Sequence, residues 1–319
     1  MRVRRDDTVV MPRDEIARFG HRMTRELLPV DIGSAGDGTK TIATLTLDQP
    51  GRPVVVIEQG LLERLDATLD SLPEGLDGFI LASSAERAFV AGADLKAIMA
   101  LSDAELHEYL AFGSRVFQKI ADLPCPTAAA IHSTVLGGGL ELAMHCDGLI
   151  GLHDPDAKPY LVGLPEAGLK ICPGWGGTNL LPARIDAETA IVATAHGNAF
   201  KSSEAASLGL FDATCGKKED LIDTAKHWLI GQGSQNRTGK PSRCVQTMNT
   251  DEMQCALDKA RDELDSSLHA DAVLDAVSVG IGSGWNAALR AEQEHLVRLR
   301  NTEPAREAIE AFFARSSKK

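Results

Sequence analysis

Val135-Leu136-Gly137-Gly138-Gly139-Leu140-Glu141-Leu142-Ala143-Met144-His145-Cys146-Asp147 sets three glycines before an apolar helical pattern whose first turn carries a carboxylate, Glu141. Leu164-Pro165-Glu166-Ala167-Gly168-Leu169 supplies a second carboxylate, followed by the glycine-rich turn Pro173-Gly174-Trp175-Gly176-Gly177-Thr178. Upstream lies a third element, Ala88-Phe89-Val90-Ala91-Gly92-Ala93-Asp94-Leu95. Glycine turns that open helices leave backbone N–H groups unpaired and aimed at one point, where they can hold a developing negative charge. Two carboxylates nearby can do acid–base work. This is an enzyme's arrangement.

Working outward, Thr41 to Leu47 alternates apolar and polar with period two, a strand signal. Leu61, Leu62, Leu65, Leu69 and Leu72 form one helical stripe. Gly78 to Ala82, Ala128 to Ile131 and Leu149 to Leu152 read as short buried strands, with a helix from Asp94 onward. This alternation predicts an α/β core with both faces of a sheet covered. From about Asp186 the pattern becomes helical, and Asp251 to Leu264 and Ala287 to Phe313 read as amphipathic helices. The expected division is a polar extension over 1–40, a catalytic core over 41–230 and a helical C-terminal region over 231–319 that serves oligomerisation and closes the pocket. Gly33 to Gly38 reads as a flexible linker, Gly231 to Ser242 as a separating loop, and Gly280 to Gly284 as another loop.

Composition removes several classes of function. The 319 residues are 44% hydrophobic and 24% charged, which allows a sizeable core. Aromatics are only 4% and the net charge is -12, so stacking platforms and phosphate-backbone binding are not expected. Six cysteines without a C-x-x-C pair, and nine histidines without ligand spacing, predict structural thiols and no metal. The charged start has no apolar segment behind it, and no run approaches the ~20 apolar residues of a membrane helix. A cytoplasmic protein is expected.

With its three motifs in this order, the chain resembles the crotonase superfamily of enoyl-CoA hydratases and isomerases, from about Thr41 to the C-terminus. Leu47 to Pro53 and Asn301 to Phe313 are closer to the hydratase half of the multifunctional fatty-acid oxidation α-subunits. The expectation is that no dehydrogenase half follows. The resemblance implies a spiral of ββα units with a helical C-terminal region, commonly assembled as trimers or hexamers. It also implies an acyl-CoA thioester substrate, with CoA as part of the substrate and no separate cofactor. A separate 3-hydroxyacyl-CoA dehydrogenase is the further partner it suggests.

By position, the resemblance makes the backbone N–H groups of Ala93 and Gly138 an oxyanion hole and makes Glu141 and Glu166 the catalytic pair. One reading has Glu141 deprotonating the water that attacks C3 while Glu166 delivers a proton to C2. Two carboxylates around one water repel, so one should carry a raised pKa. The substrate would lie along Ala91, Gly92, Asp94, Leu95, Gly137, Pro173 and Gly174, with Arg315 near the pyrophosphate. Val135 is expected to narrow the acyl channel. The insertion His153 to Pro159 is either part of the substrate entrance or idle surface, and His132 and His145 are expected to pack. Leu289, Leu296, Leu299, Ile309, Phe312 and Phe313 are expected to offer an apolar surface for oligomerisation. Two other readings stay open: an isomerase or thioester hydrolase on the same oxyanion hole, and a non-catalytic CoA-binding assembly partner.

Overall fold

The computed structural model describes residues 26–36, 38–233 and 238–316. Ten strands are described: β1 (Val30–Ala35), β2 (Lys40–Leu47), β3 (Gly78–Ser83), β4 (Ala88–Val90), β5 (Thr127–Ile131), β6 (Thr134–Leu136), β7 (Gly148–Leu152), β8 (Leu161–Gly163), β9 (Ala199–Lys201) and β10 (Ala213–Cys215). They form a six-stranded sheet in the order β1-β2-β3-β5-β7-β10 and a four-stranded sheet in the order β4-β6-β8-β9. The chain lays one strand in each sheet per turn, as β3 then β4, β5 then β6, and β7 then β8, with helical segments between turns. Pairing in the large sheet is parallel except for β1 with β2. This is the expected ββα spiral.

Side-chain alternation sorts the large sheet into two cores, as a pleated strand must. Ala43, Leu45, Leu47, Phe79, Leu81, Ala129 and Ile131 enter the main core. Ile42, Ile80, Ala128, Ala130 and Ile150 face the other way, where the Leu221–Ile230 helix covers them with Leu221, Ala225 and Leu229. The predicted leucine stripe is also found, on the Gln59–Asp70 helix, where Leu61, Leu62, Leu65 and Leu69 are buried.

Four expectations need correction. Gly33 to Gly38 is no linker throughout, because Val30–Ala35 pairs antiparallel with β2, Ala35 opposite Lys40. Gly36 and Gly38 take φ of +66° and +89° in the reversal, where glycine costs least. The glycine count hid the hairpin, and residues 1–25 of the polar extension lie outside the described residues. The region after Asp186 is not purely helical, since β9 and β10 return to the two sheets. Ala287 to Phe313 is two helices, Trp285–Arg300 and Glu303–Ser316, because Pro304 has no N–H to continue the first but fits the opening turn of the second. Gly280 and Gly282 belong to a helix the pattern did not predict, Leu268–Ser283, which ends at Gly284 with φ +81°.

The C-terminal helices fold back over the core. Arg300 is buried and donates to the Ile98 carbonyl and, at 2.7 Å, to Asp103. Leu299 and Ile309 pack with Ile171 and Cys172 inside the same chain, and Leu296 joins the main core. Those three therefore do not form the outer apolar surface expected of them. Arg300→Met should leave the Ile98 carbonyl unpaired and destabilise the fold by about 1–3 kcal/mol in urea unfolding. A change under about 0.5 kcal/mol, ordinary for a surface position, would show that the clasp is idle.

Candidate active site

Gly137 links β6 to the Gly138–Met144 helix with φ 54° and ψ -131°, a region that side chains other than glycine avoid. Its N–H donates to Gly163 O at 2.9 Å, and its carbonyl accepts from Leu140 and Glu141. A Cβ at 137 would lie 2.5 Å from Glu166 Oε1, so glycine there also admits the second carboxylate. On the opposite wall, Ile57 N donates to Gly92 O and Asp94 N donates to Ile57 O, both at 2.9 Å. Alternation along this short parallel bridge turns the N–H of Ala93 away from Ile57. Neither that N–H nor the Gly138 N–H has an acceptor among the described residues. Ala93, Gly138, Glu141 and Glu166 line one cavity of about 130 Å³.

Glu141 is 1% exposed, and its Oε1 accepts from the N–H groups of Trp175 at 2.7 Å and Gly177 at 2.8 Å. Glu166 opens a short 3-10 turn after Pro165, and its Oε2 is shut from solvent without a hydrogen-bond partner. A third carboxylate completes the site. Glu292, 0% exposed on the Trp285–Arg300 helix, accepts from Gly176 N at 2.5 Å, from Thr178 N at 2.8 Å and from the Thr178 hydroxyl.

Burial raises the pKa of all three acids, because the low-dielectric interior penalises their charged forms. Glu141 is raised well above its ordinary range by burial first, then by the charges of Glu292 and Glu166, against its two backbone donors. Glu166 is pushed up to about 8 by burial and by the charge of Glu292. Glu292 is pushed up to about 7 by burial, opposed by its Thr178 and Gly176 donors. The donor count separates their roles. Glu141 and Glu292 hold N–H groups that favour a carboxylate, whereas Glu166 has no donor on Oε2 and suits the proton-bearing form.

Of the residues assigned from sequence, Ala91, Gly92, Ala93, Leu95, Gly137, Gly138, Glu141, Glu166 and Gly174 meet at this cavity. Asp94 does not line it; its side chain caps the Leu95–Ala100 helix, accepting from Lys96 N and Ala97 N. Pro173 is buried and Arg315 is exposed on the last helix, and neither lines the cavity. Val135 is fully buried in the core and Leu136 lines the cavity instead, so Val135 does not narrow the channel. The His153 to Pro159 loop contributes nothing to the lining. His132 and His145 pack as expected, against Ala85 O and Glu141 O.

Sequence reasoning missed Glu292 and the lining positions of Leu296 and Phe312. Trp175 donates from its indole to Leu110 O at 3.0 Å, and Leu296 and Phe312 close the cavity from the C-terminal helices. A signal for Glu292 did exist: Ala288, Glu292, Leu296 and Leu299 fall at helical spacing on one buried stripe, interrupted by a single acid.

The two-sheet spiral with its enclosed pair of free N–H groups is the crotonase fold, and solved structures agree. The chain superposes on an enoyl-CoA hydratase from Bacillus anthracis with TM-score 0.54 and 24% identity, covering 90% of this chain and 96% of that one. For a putative enoyl-CoA hydratase from Mycobacterium avium paratuberculosis the TM-score is 0.60 at 21% identity, covering 90% and 97%. The sequence pattern of the enoyl-CoA hydratase/isomerase family matches residues 37–271, and the chain belongs to that family, as an enzyme of the crotonase superfamily. It is 32% identical over 289 residues to the fatty acid oxidation complex subunit alpha of Vibrio cholerae, and 31% identical over 296 residues to that of Aliivibrio fischeri. Each match covers 87% of this chain, which spans only 40% and 41% of the length of those relatives.

Gly138 carries a constraint beyond its N–H. A Cβ there would lie 2.6 Å from Trp175 Cζ3, so even alanine collides with the indole. The glycine is demanded by packing as well as by approach to a ligand. Gly138→Ala should destabilise the protein by about 1–3 kcal/mol, an overpacking cost, and unfolding at wild-type denaturant midpoints would contradict that packing.

The raised pKa of Glu166 also sets a pH dependence. Its folded value of about 8 lies above the ordinary 4.5. The stability tied to its protonated form is therefore full below the ordinary value and lost as pH rises through the folded one. Glu166→Gln resembles the protonated acid at every pH. Its melting temperature relative to wild type should rise between about pH 5 and pH 8, and a constant difference would mean that Glu166 titrates like an exposed acid.

Proposed function

We propose that this site adds water across the double bond of a trans-2-enoyl-CoA thioester to give the 3-hydroxyacyl-CoA. The observation that carries the reading is the meeting, in one cavity, of two acceptor-free N–H groups with two carboxylates of opposite hydrogen-bonding character. The thioester oxygen would sit against the N–H groups of Ala93 and Gly138, which stabilise the enolate as negative charge moves onto that oxygen. Glu141 in its carboxylate form takes a proton from the water that attacks C3. Glu166 in its acid form gives a proton to C2, so a water has been added and one proton has passed from Glu166 to Glu141. An isomerase needs only one such base, which is why the pair favours hydration.

The same reading takes CoA as part of the substrate, with no separate cofactor. Among the described residues no group of three or more His, Cys, Asp or Glu is placed to hold a metal. No described helix is long and apolar enough to cross a membrane. All six cysteines are free thiols, which supports a reducing, cytoplasmic setting. The names of the relatives support a place in fatty-acid oxidation. The same proposal takes a homotrimeric or hexameric assembly and a separate 3-hydroxyacyl-CoA dehydrogenase as next partner. The cavity of about 130 Å³ resembles in size the ~150 Å³ cavity that admits benzene, which suits a short acyl chain.

Purified protein should hydrate crotonyl-CoA faster than a long-chain enoyl-CoA, followed by loss of conjugated-thioester absorbance. Glu141→Gln and Glu166→Gln should each lower kcat by at least about 10²-fold, the scale of lost general acid–base catalysis, while calorimetric CoA-ester binding persists. Near-wild-type turnover in either variant would overturn the two-carboxylate reading. Movement of the double bond without hydration would point to the isomerase.

A further inference from the structure

Glu292 has no step in the chemistry above, yet it is as buried as any residue in the molecule. An isolated buried charge is costly, and an apolar residue of similar volume is often neutral or stabilising in its place. An acid at this position therefore asks what a leucine could not do. The answer lies in the turn between Trp175 and Thr178. Its consecutive N–H groups point alternately to two sides: Trp175 and Gly177 to Glu141, Gly176 and Thr178 to Glu292. Each peptide plane is shared by neighbouring residues, so holding one set of N–H groups fixes the direction of the other. Gly176 adopts φ +101° within this turn, and a Cβ there would lie 2.2 Å from Trp285 Cη2. The conformation is open to glycine and closed to a side chain, and glycine's freedom leaves the turn to be fixed by what its N–H groups bind.

We propose that Glu292 is a positioning residue for Glu141: it holds Gly176 and Thr178 from behind and so fixes the turn whose other two N–H groups aim Glu141 Oε1 at the reacting centre. The hydroxyl of Thr178, which also donates to Glu292, locks the far end of the turn. Glu292 touches neither substrate nor the attacking water, and it is not a lining residue of the cavity. Through the turn, the C-terminal Trp285–Arg300 helix becomes part of the catalytic frame. This rests on the hydratase reading and adds to it the residue that orients its base.

Two variants test the proposal. Glu292→Gln keeps one acceptor but turns an amide donor toward the turn's N–H groups, and Thr178→Val removes only the hydroxyl at nearly constant shape. Melting temperature, kcat and KM with crotonyl-CoA, and a crystal structure are measured for each. Glu292→Gln should lower kcat by about 10²-fold, the loss that a displacement of about 1 Å produces, with KM within about threefold. Thr178→Val should lose about threefold to tenfold in kcat, the scale of one hydrogen bond. The crystal structures should show Glu141 Oε1 displaced from Trp175 N or Gly177 N. A folded Glu292→Gln with wild-type kcat, or with its loss confined to KM, overturns the proposal. Where Glu292→Gln does not fold, unchanged kcat in Thr178→Val overturns it. Should the wild type hydrate no enoyl-CoA, the hydratase reading fails separately. The position of Glu141 in the variant structures then decides the positioning claim.

Discussion

Four successive backbone N–H groups, from Trp175 to Thr178, are shared between two buried carboxylates, and the rest of the site depends on that sharing. Buried N–H groups must find acceptors, and buried carboxylates must find donors. The turn satisfies both demands at once by sending alternate donors to Glu141 and Glu292. Neither acid could be placed so deeply without the turn's donors, and without the acids the four N–H groups would be left buried and unpaired. Glu166 stands outside this exchange. Burial, with an Oε2 that finds no partner, favours its protonated form.

Packing around Trp175 carries the same constraint through the fold. The indole fills space left by Gly113 and Gly138, lies near Tyr109 and Phe117, and is tied to Leu110 O. Tyr109 in turn donates to Ile57 O, on the bridge that orients the Ala93 N–H. The two free N–H groups and the two carboxylates that line the cavity are thus referred to one aromatic cluster. Rigid support of this kind is what acid–base chemistry requires, since small displacements are costly in rate. The C-terminal helices add Leu296 and Phe312 to the cavity and Glu292 to the turn.

Much of this was legible in the sequence, because glycine spacing and strand periodicity are local signals. The triple glycine, both cavity carboxylates, the leucine stripe and the core strands of the large sheet appear where residue type alone places them. Long-range facts were not local in that sense. Glu292 lies 114 to 116 residues from its donors, in a segment that reads as an amphipathic helix. The β1–β2 hairpin was hidden by the glycines that make its reversal. Asp94 shows the reverse, a residue inside a functional motif whose side chain is taken up as a helix cap. Leu296, Leu299 and Ile309 were rightly read as apolar, but periodicity cannot say whether such a face meets another chain or its own core.

The central claim is that three carboxylates share this interior and that Glu166 keeps its proton near neutrality. Infrared difference spectroscopy of the protonated carboxyl stretch, titrated in wild type and in Glu166→Gln, measures it directly. A solvent-shielded carboxylic acid band is expected at pH 7 in the wild type, with a component that falls as pH rises through about 8 and is lost from the titration of the variant. A wild-type protein with all three groups ionised at pH 7, or a band unchanged by removing Glu166, would contradict it.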